Sequence, residues 1–285
     1  MDGRDILETS DTGHSPGRDL RLTTGSVPSG ALGALTDELI RRIAKTVPDK
    51  SNIRAPEVLS PASKQDIDAF CDALIAQDPN ASVDFFDDLR KRGETADALS
   101  ITWIAATARE LGERWVADQC SFLDVTVASA RLHAMHRKMR GEFVPPSLYQ
   151  PPELSALFAP VPGETHVLGI TMAADFFRRA GWRVDLCCEP DLDALLEAAA
   201  VGDYRLIGLS AGCVSAIDGL ETAVQHLRDA DPDVKIVLGG YITELEPDIK
   251  QQVRVDHIVS DVVNAPLVCQ HLVLPDLGIT GDIYR

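Results

Sequence analysis

The sequence predicts an α/β protein in which a four-helix bundle precedes a doubly wound parallel sheet. Three observations lead to this prediction: helical periodicity over 61–140, a proline-rich stretch at 141–153, and alternating strand and helix patterns beyond it. The 285 residues, of which 45% are hydrophobic, are enough for two cores. We therefore expect a leading segment at 1–60, a bundle at 61–140, a linker at 141–153 and a sheet domain at 154–285.

The leading segment, 1–60, is predicted to be flexible and to carry one amphipathic helix. Residues 1–30 are rich in Gly, Ser, Thr, Asp and Pro and show little periodicity. Apolar residues then recur at helical spacing before Pro48, and these are Leu32, Leu35, Leu39, Ile40 and Ile43. Such a helix would dock on the body of the protein or await a partner.

Four helices are predicted in the second part of the chain. Ser63, with Asp66 three residues later, is typical of a helix start. The other helices are expected near 81–89, 96–115 and 121–139, and the short turns between them favour an antiparallel bundle. The linker GEFVPPSLYQPPE contains four prolines and no periodicity.

Five strand and helix pairs are predicted in the last part. The strands are expected at 156–161, 183–188, 206–210, 235–238 and 257–259, and the helices at 168–180, 192–200, 216–230, 244–253 and 266–272. This alternation is typical of a Rossmann-like sheet with helices on both faces. Ligands of such folds bind at the carboxyl ends of the strands, where the loops 163–166, 210–213 and 239–241 should converge.

The charge and the cysteines limit the classes of function. A net charge of −17 argues against a large surface for phosphates or anionic lipid, so DNA contact would be indirect or weak. The basic patch at 131–140 is the weak candidate for such a contact. The start MDGRDILETS does not resemble a secretory signal, and no run of eighteen apolar residues is present, so we expect a cytoplasmic protein without membrane contact. The six cysteines form no CxxC pair and are expected to be reduced.

The loop PGETHVLGI, 162–170, has three interpretations. In the first, Thr165 caps the next helix, Glu164 lies near its positive end and His166 is a surface residue. In the second, the loop cradles a nucleotide phosphate, although the GxGxxG pattern is absent and Glu164 would repel the phosphate. In the third, His166 binds a metal and Glu164 accepts a hydrogen bond from its other ring nitrogen. No further His or Cys lies at ligand spacing, so that metal would arrive in a macrocycle with its own ligands.

The residues of this loop carry a resemblance. Glu164-Thr165-His166-Val167-Leu168-Gly169 resembles the DxHxxG motif of cobalamin-binding domains, with Glu in place of Asp. Ser210-Ala211-Gly212 stands at the SxL position, with Gly in place of Leu, and Gly239-Gly240 matches the paired glycines of that family. The resemblance implies that His166 is the lower cobalt ligand, supported by Glu164 and Ser210. The other cofactor-binding residues that it implies, around a slot for the nucleotide tail, are Thr165, Gly169, Ala211, Gly212, Gly239, Gly240 and Tyr241.

Both departures from the motifs bear on the site. Glu164 is one methylene longer than Asp, which could move the imidazole of His166 or change its basicity. Gly212 could widen the slot for the nucleotide tail.

The bundle adds a second resemblance. Leu111-Gly112-Glu113-Arg114-Trp115 is similar to the helical cap of corrinoid methyltransferase proteins and light-sensing transcription factors, which implies that Trp115 covers the upper face of the corrin. Light sensors of the repressor type have a Glu-His pair where this chain has Val125-Thr126. With AADFFRRAGWRVDL, these segments resemble the AerR/PpaA antirepressors of photosynthetic bacteria over about 60–275.

That resemblance implies a function and a partner. We expect a light- or redox-responsive regulator that is not an enzyme, uses adenosyl- or hydroxocobalamin, and relieves repression of photosynthesis genes by binding a CrtJ/PpsR-type repressor. Two alternatives stay open: a corrinoid carrier of a methyltransferase system, and a domain that has lost its cofactor and acts only as an interaction module. No Ser-His-acid set and no P-loop lysine supports a hydrolase or a kinase.

A few residues have plain structural interpretations. Trp115 could instead anchor the bundle core, and Trp103 and Trp182 are expected in cores or interfaces. His133 and His136 could share a metal, but a solvated basic helix end is the favoured interpretation. Asp124 is expected to be a solvated or a capping acid.

Overall fold

The structure is a computed structural model that describes residues 60–140, 151–189 and 191–275. The predicted amphipathic helix at 32–43, the leading segment to residue 59 and linker residues 141–150 lie outside the described residues. Both predicted folded parts of the chain belong to one compact unit. In the described ranges, no helix is long and apolar enough to cross a membrane.

The first part is helical from end to end, as predicted. Its elements are α1 Lys64–Ile75, α2 Pro79–Lys91, α3 Ala96–Ala98, a π-helical segment Leu99–Ala105, α4 Ala106–Val116 and α5 Phe122–Met139. The third predicted helix is therefore continuous but contains a wider π turn at its centre. Phe70 of α1 stacks on Phe85 of α2 and meets Trp103 edge to face in the core.

Side-chain caps mark the starts of four bundle helices, and those of α1 and α5 bear on the predictions. The Ser63 hydroxyl accepts from the Asp66 amide at 3.2 Å, which confirms the predicted start of α1. Before α5, Ser121 accepts from the Asp124 amide while the Asp124 carboxylate accepts from the Ser121 amide at 2.9 Å. Asp124 is thus the acid of a capping box.

The second part is a five-stranded parallel sheet with helices on both faces. Its strands are β1 Ser155–Pro160, β2 Arg183–Leu186, β3 Leu206–Ser210, β4 Lys235–Gly239 and β5 His257–Ile258, in the order β2-β1-β3-β4-β5. Neighbours along β1, such as Leu157 and Phe158, are buried in the cores on opposite faces. The strand order reverses between β1 and β3, and the crevice of such a fold opens there.

The helices of the sheet domain match the predictions except in one region. They are α6 Leu168–Arg179, α7 Leu192–Val201, a 3-10 turn Val214–Ala216, α8 Ile217–Ala230, α9 Ile242–Leu245, α10 Ile249–Gln252 and α11 Ala265–Val273. The prediction of one helix at 244–253 is wrong, because Pro247 lacks an amide hydrogen and disfavours helical geometry at Glu246, whose ψ is 80°. The prediction that Cys187 and Cys188 lie in a strand is also wrong, since β2 ends at Leu186.

A buried carboxylate connects the bundle to the sheet domain. Asp175 of α6 lies 3.1 Å from His136 Nε2 and 3.3 Å from Arg140 Nε, both contributed by the end of α5. Arg178 donates to its other oxygen at 3.0 Å. The favoured interpretation of His136 as part of a solvated helix end is wrong: its side chain is 1% exposed, because α6 covers this face of α5.

We expect Asp175→Asn to lower the free energy of unfolding by about 1–3 kcal/mol at neutral pH, since a buried charged partner is lost. Burial raises the pKa of Asp175, but His136, Arg178 and Arg140 outweigh that effect and hold the pKa below 3.8. The carboxylate therefore stabilises the fold above pH 3.8, and this stabilisation is lost as the pH falls through the lowered pKa. Chemical denaturation at several pH values measures both effects.

The matched control is Asp87→Asn in α2, which removes an exposed carboxylate 3.3 Å from Lys138 of α5. An exposed pair contributes little, so its free energy of unfolding should change by less than about 0.5 kcal/mol. Equal effects of the two substitutions would contradict the role given to Asp175.

Candidate functional site

Three loops meet at the carboxyl edge of the sheet, as their positions after β1, β3 and β4 predict. The Val161 amide donates to the carbonyl of Ser210 at 2.9 Å, and the Ala211 amide to that of Gly239 at 3.2 Å. The Ala211 carbonyl in turn accepts from the Ile242 amide at 3.1 Å. These backbone hydrogen bonds bring the three predicted loops together.

His166 lies on the first of these loops with its ring directed outward. Its side chain is 78% exposed, while the side chain of Glu164 behind it is 2% exposed. The ring Nδ1 lies 2.5 Å from Glu164 Oε1. A histidine held in this way through one nitrogen presents the other, Nε2, to a ligand, and this carboxylate arrangement is common behind histidines that bind metals.

The Glu164 carboxylate is a buried acceptor of several hydrogen bonds. Oε1 accepts from the amides of Thr165 and His166 at 2.8 and 2.9 Å, and Oε2 accepts from the Gly212 amide at 2.7 Å. Burial raises the pKa of Glu164, but the hydrogen bonds from His166 and Gly212 outweigh it and lower the pKa to about 2. The hydrogen bond to Glu164 raises the pKa of His166 above its usual 6.5. Glu164 therefore stays ionised and fixes the orientation of the imidazole.

The structure contradicts the capping interpretation of this loop. Helix α6 begins at Leu168 after Val167, and no side chain caps it. The Thr165 amide donates to the Glu164 carboxylate instead of Thr165 capping the helix. The Glu164 carboxylate thus holds the loop and His166 and does not cap the helix. Its buried oxygens already accept hydrogen bonds from the loop amides and from the Gly212 amide.

Gly240 shows how closely the loops after β3 and β4 approach. Its φ of +96° disfavours other residues, and a Cβ there would lie 2.3 Å from the Ala211 carbonyl oxygen and 2.9 Å from Ser210 Oγ. A Cβ on Gly239 would be at an ordinary 3.7 Å from Val259. Of the residues assigned to the nucleotide slot, Ser210, Ala211 and Gly240 therefore form one tight group.

The remaining predicted cofactor residues lie around this group. Gly169 is exposed at the start of α6, where a Cβ would have no neighbour within 4 Å, so packing within the protein does not require its glycine. Tyr241 directly precedes α9 and is partly exposed.

Trp115 lies at the end of α4 and is 49% exposed, so the interpretation as a buried bundle anchor is wrong. Arg114 beside it is held against α1, with hydrogen bonds of 2.7 Å to both Asp68 and Asp72. These ion pairs hold the Arg114 side chain against α1. Several neighbours in sequence are also exposed and apolar, namely Val116, Phe122, Leu123 and Val127.

Two contacts near the site, made by Arg109 with Glu244 and by Gly219, were not predicted from the sequence. Arg109 of α4 lies 3.2 Å from Glu244 of α9, which connects the Trp115 helix to the segment after Gly240. A Cβ on Gly219 would lie 2.5 Å from the Pro162 carbonyl oxygen, so this glycine lets α8 approach the His166 loop. An isolated glycine inside a helical pattern was the available signal for Gly219, whereas no local pattern pairs Arg109 with Glu244.

The donor set fits a corrinoid better than a bare ion. No group of three or more His, Cys, Asp or Glu side chains that could hold a metal ion occurs within the described ranges. His166 offers one exposed nitrogen, and a corrin ring supplies its own equatorial nitrogens. The close approach around Gly240 brings the backbones of the loops after β3 and β4 together at the same edge.

We expect Glu164→Gln to lower the pKa of His166 toward 6.5, because the amide removes the negative charge beside Nδ1. Histidine side-chain NMR as a function of pH measures this pKa, and His166→Gln assigns the signal. The pKa of His133, which burial holds below 6.5, should not change and serves as the internal control. An unchanged pKa for His166 would contradict the geometry of the pair.

We expect Gly240→Ala to destabilise the protein by about 1–3 kcal/mol, since it adds a methyl group against a backbone oxygen at positive φ. Gly169→Ala is the control, because its Cβ meets open space inside a helix. Thermal or urea unfolding of the two variants distinguishes them, and equal stability would contradict the close approach.

Comparisons with known proteins find relatives of the sheet domain and of the whole fold. Residues 154–263 match the B12 binding domain family. An uncharacterized 20.5 kDa protein in the bchF-crtJ intergenic region of Rhodobacter capsulatus is 22% identical over 178 residues, covering 62% of this chain and 93% of that protein. The solved monomethylamine corrinoid protein of Methanosarcina barkeri aligns at a TM-score of 0.59 with 14% identity, over 74% of this chain and 100% of that one, and shows the shared fold.

The fold, the domain match and the Rhodobacter relative together confirm the resemblance that the motifs carry. Residues 154–263 match the B12 binding domain family, which supports a cobalamin or corrinoid cofactor for this part of the chain.

Proposed function

We propose that this protein is a cobalamin-dependent, light- or redox-responsive transcriptional antirepressor and not an enzyme. The observation that carries the proposal is the exposed His166 ring, held through Nδ1 by the buried Glu164 at the edge of the B12-binding domain. Adenosyl- or hydroxocobalamin would supply a cobalt centre whose upper ligand is exchangeable.

Each residue of the site would have a separate role in holding the cofactor. His166 would bind the cobalt, and Glu164 would keep its ring in one orientation. The slot for the nucleotide tail is lined by Thr165, Gly169, Ser210, Ala211, Gly212, Gly239, Gly240 and Tyr241. Trp115 would cover the bound corrinoid, because α4 is joined to the site edge through Arg109 and Glu244.

The bundle would convert a change at the cofactor into a change of surface. Trp115 is half exposed and lies at a helix end beside the exposed Val116, so it can resettle without unfolding the core. The Asp175 contacts meanwhile hold α5 on the sheet domain. A local change of this kind that alters a partner-binding surface is a two-state switch.

The proposed partner is a CrtJ/PpsR-type repressor. The relative in Rhodobacter capsulatus is named for its position between bchF and crtJ, which supports a connection with that regulator. The net charge of −17 favours action through a protein partner over direct contact with DNA. We also expect the protein to act in the cytoplasm.

Reconstitution with cobalamin tests the first half of the proposal. We expect the corrin absorbance to remain with the wild-type protein after desalting, and His166→Ala to weaken binding at least tenfold, since a ligand to cobalt is lost. His226→Ala is the control, because His226 is exposed on α8 and contacts only its own helix through Thr222. Full binding by His166→Ala would assign the ligand role elsewhere.

Dark and light measurements test the regulatory half. The cobalamin-loaded protein should show a light-dependent change in absorbance and a changed affinity for the repressor. Cofactor-free protein that binds the repressor equally in dark and light would instead favour an interaction module that no longer uses its cofactor.

A corrinoid carrier of a methyltransferase system is the second candidate. The observation that favours it is the fold, which is shared with the Methanosarcina corrinoid protein. Methyl transfer to or from the bound corrinoid would support this function, whereas stable conversion by light without methyl turnover would exclude it.

A further inference from the structure

The carboxylate of the β1 loop and the backbone of the β3 loop are in direct contact at the site. Glu164 Oε2 accepts from the Gly212 amide at 2.7 Å, and the Glu164 side chain is 2% exposed. The other oxygen, Oε1, holds the ring and the amide of His166. One carboxylate therefore joins residue 212 to the histidine.

The space beside Gly212 is occupied by the same two side chains. A Cβ at position 212 would lie 3.3 Å from Glu164 Oε2 and 3.7 Å from His166 Nδ1. The first distance is tighter than an ordinary van der Waals contact, and a branched side chain would extend further toward both groups. Alanine at 212 would require the carboxylate to shift by a few tenths of an ångström, and the larger leucine needs further space beside the same two groups.

The backbone gives no separate reason for glycine at this position. Four described glycines have positive φ, namely Gly93, Gly163, Gly181 and Gly240, and Gly212 is not among them. Its backbone conformation is therefore open to other residues, and the requirement for glycine comes from the neighbouring side chains.

A shorter acid would disrupt the same contact from the other side. Aspartate at 164 has one C–C bond less, so its carboxylate falls about 1.5 Å short of the present position. It could retain the histidine or the Gly212 amide but not both at hydrogen-bond distance. The lost partner would be a backbone N–H or the ring of His166.

We propose that Glu164 and Gly212 are a matched pair that positions His166. The glutamate, which is longer than aspartate, requires that residue 212 have no side chain. The two departures from the cobalamin motifs, Glu for Asp and Gly for Leu, are then one compensated change and not two independent losses. Only the effect on cofactor binding rests on the proposed function, because the pairing itself is a property of the cofactor-free protein.

A double-mutant cycle tests the pair in the cofactor-free protein. Glu164→Asp and Gly212→Leu should each lower the equilibrium constant for folding, and the double variant should be more stable than their sum predicts. We expect a coupling of at least tenfold, which is about 1.4 kcal/mol. If Gly212→Leu does not fold, Gly212→Ala replaces it in the cycle, since the Cβ alone meets Glu164.

The position of the His166 ring is a second measurement, and it distinguishes a positioning role from a purely structural one. At constant pH, the His166 ring resonances should shift in each single variant and return toward the wild-type values in the double variant. Cobalamin affinity should follow the same order, with at least a tenfold loss in each single variant and recovery to within about threefold in the double variant.

The control cycle pairs Glu164→Asp with Gly112→Ala, since a Cβ at 112 in α4 has no neighbour within 4 Å. These two changes should be additive to within about twofold. Additive effects of Glu164 and Gly212 substitutions, or a double variant whose ring resonances stay displaced, would overturn the proposal. Coupling in a protein that binds no cobalamin would leave the pair intact and disprove the proposed function.

Discussion

The buried Glu164 carboxylate is the interaction on which the site depends. It joins the loop after β1 to the loop after β3 through the Gly212 amide and holds His166 through its other oxygen. A buried charge is tolerated only when it is well paired, and here three amides and one imidazole pair it. Without this carboxylate, the His166 ring would lose the contact that orients it, and the Gly212 amide would lose its acceptor.

The same principle acts where the bundle meets the sheet domain. Asp175 is buried among His136, Arg140 and Arg178, so α5 and α6 are joined by charges that cannot separate without exposing an unpaired group. Arg109 and Glu244 form an exposed and weaker contact near the site. The buried contact thus joins α5 to α6, while the exposed one joins α4 to the segment after β4.

The sequence predicted the order of the elements well because hydrophobic periodicity and capping residues act locally. Ser63 and Ser121 mark helix starts through contacts three residues away, and β3 was predicted at its observed bounds. The failures have local and distant causes. Pro247 divides a predicted helix, while His136 was assigned to solvent because nothing in its own helix shows that α6 covers it.

What the sequence by itself determined is the identity of the chemistry: a histidine two residues after an acid, small residues after β3 and β4, and a tryptophan at a helix end. The spacing of these residues along the chain was sufficient to predict them, because each feature lies on or directly after a single strand or helix. Only the tertiary structure decided how they act together. The reach of Glu164 to Gly212, the closeness of Gly240 to Ala211 and the exposure of Trp115 depend on packing between segments far apart in sequence. Periodicity and spacing along one chain carry no record of such distances, because the turns between the elements set them.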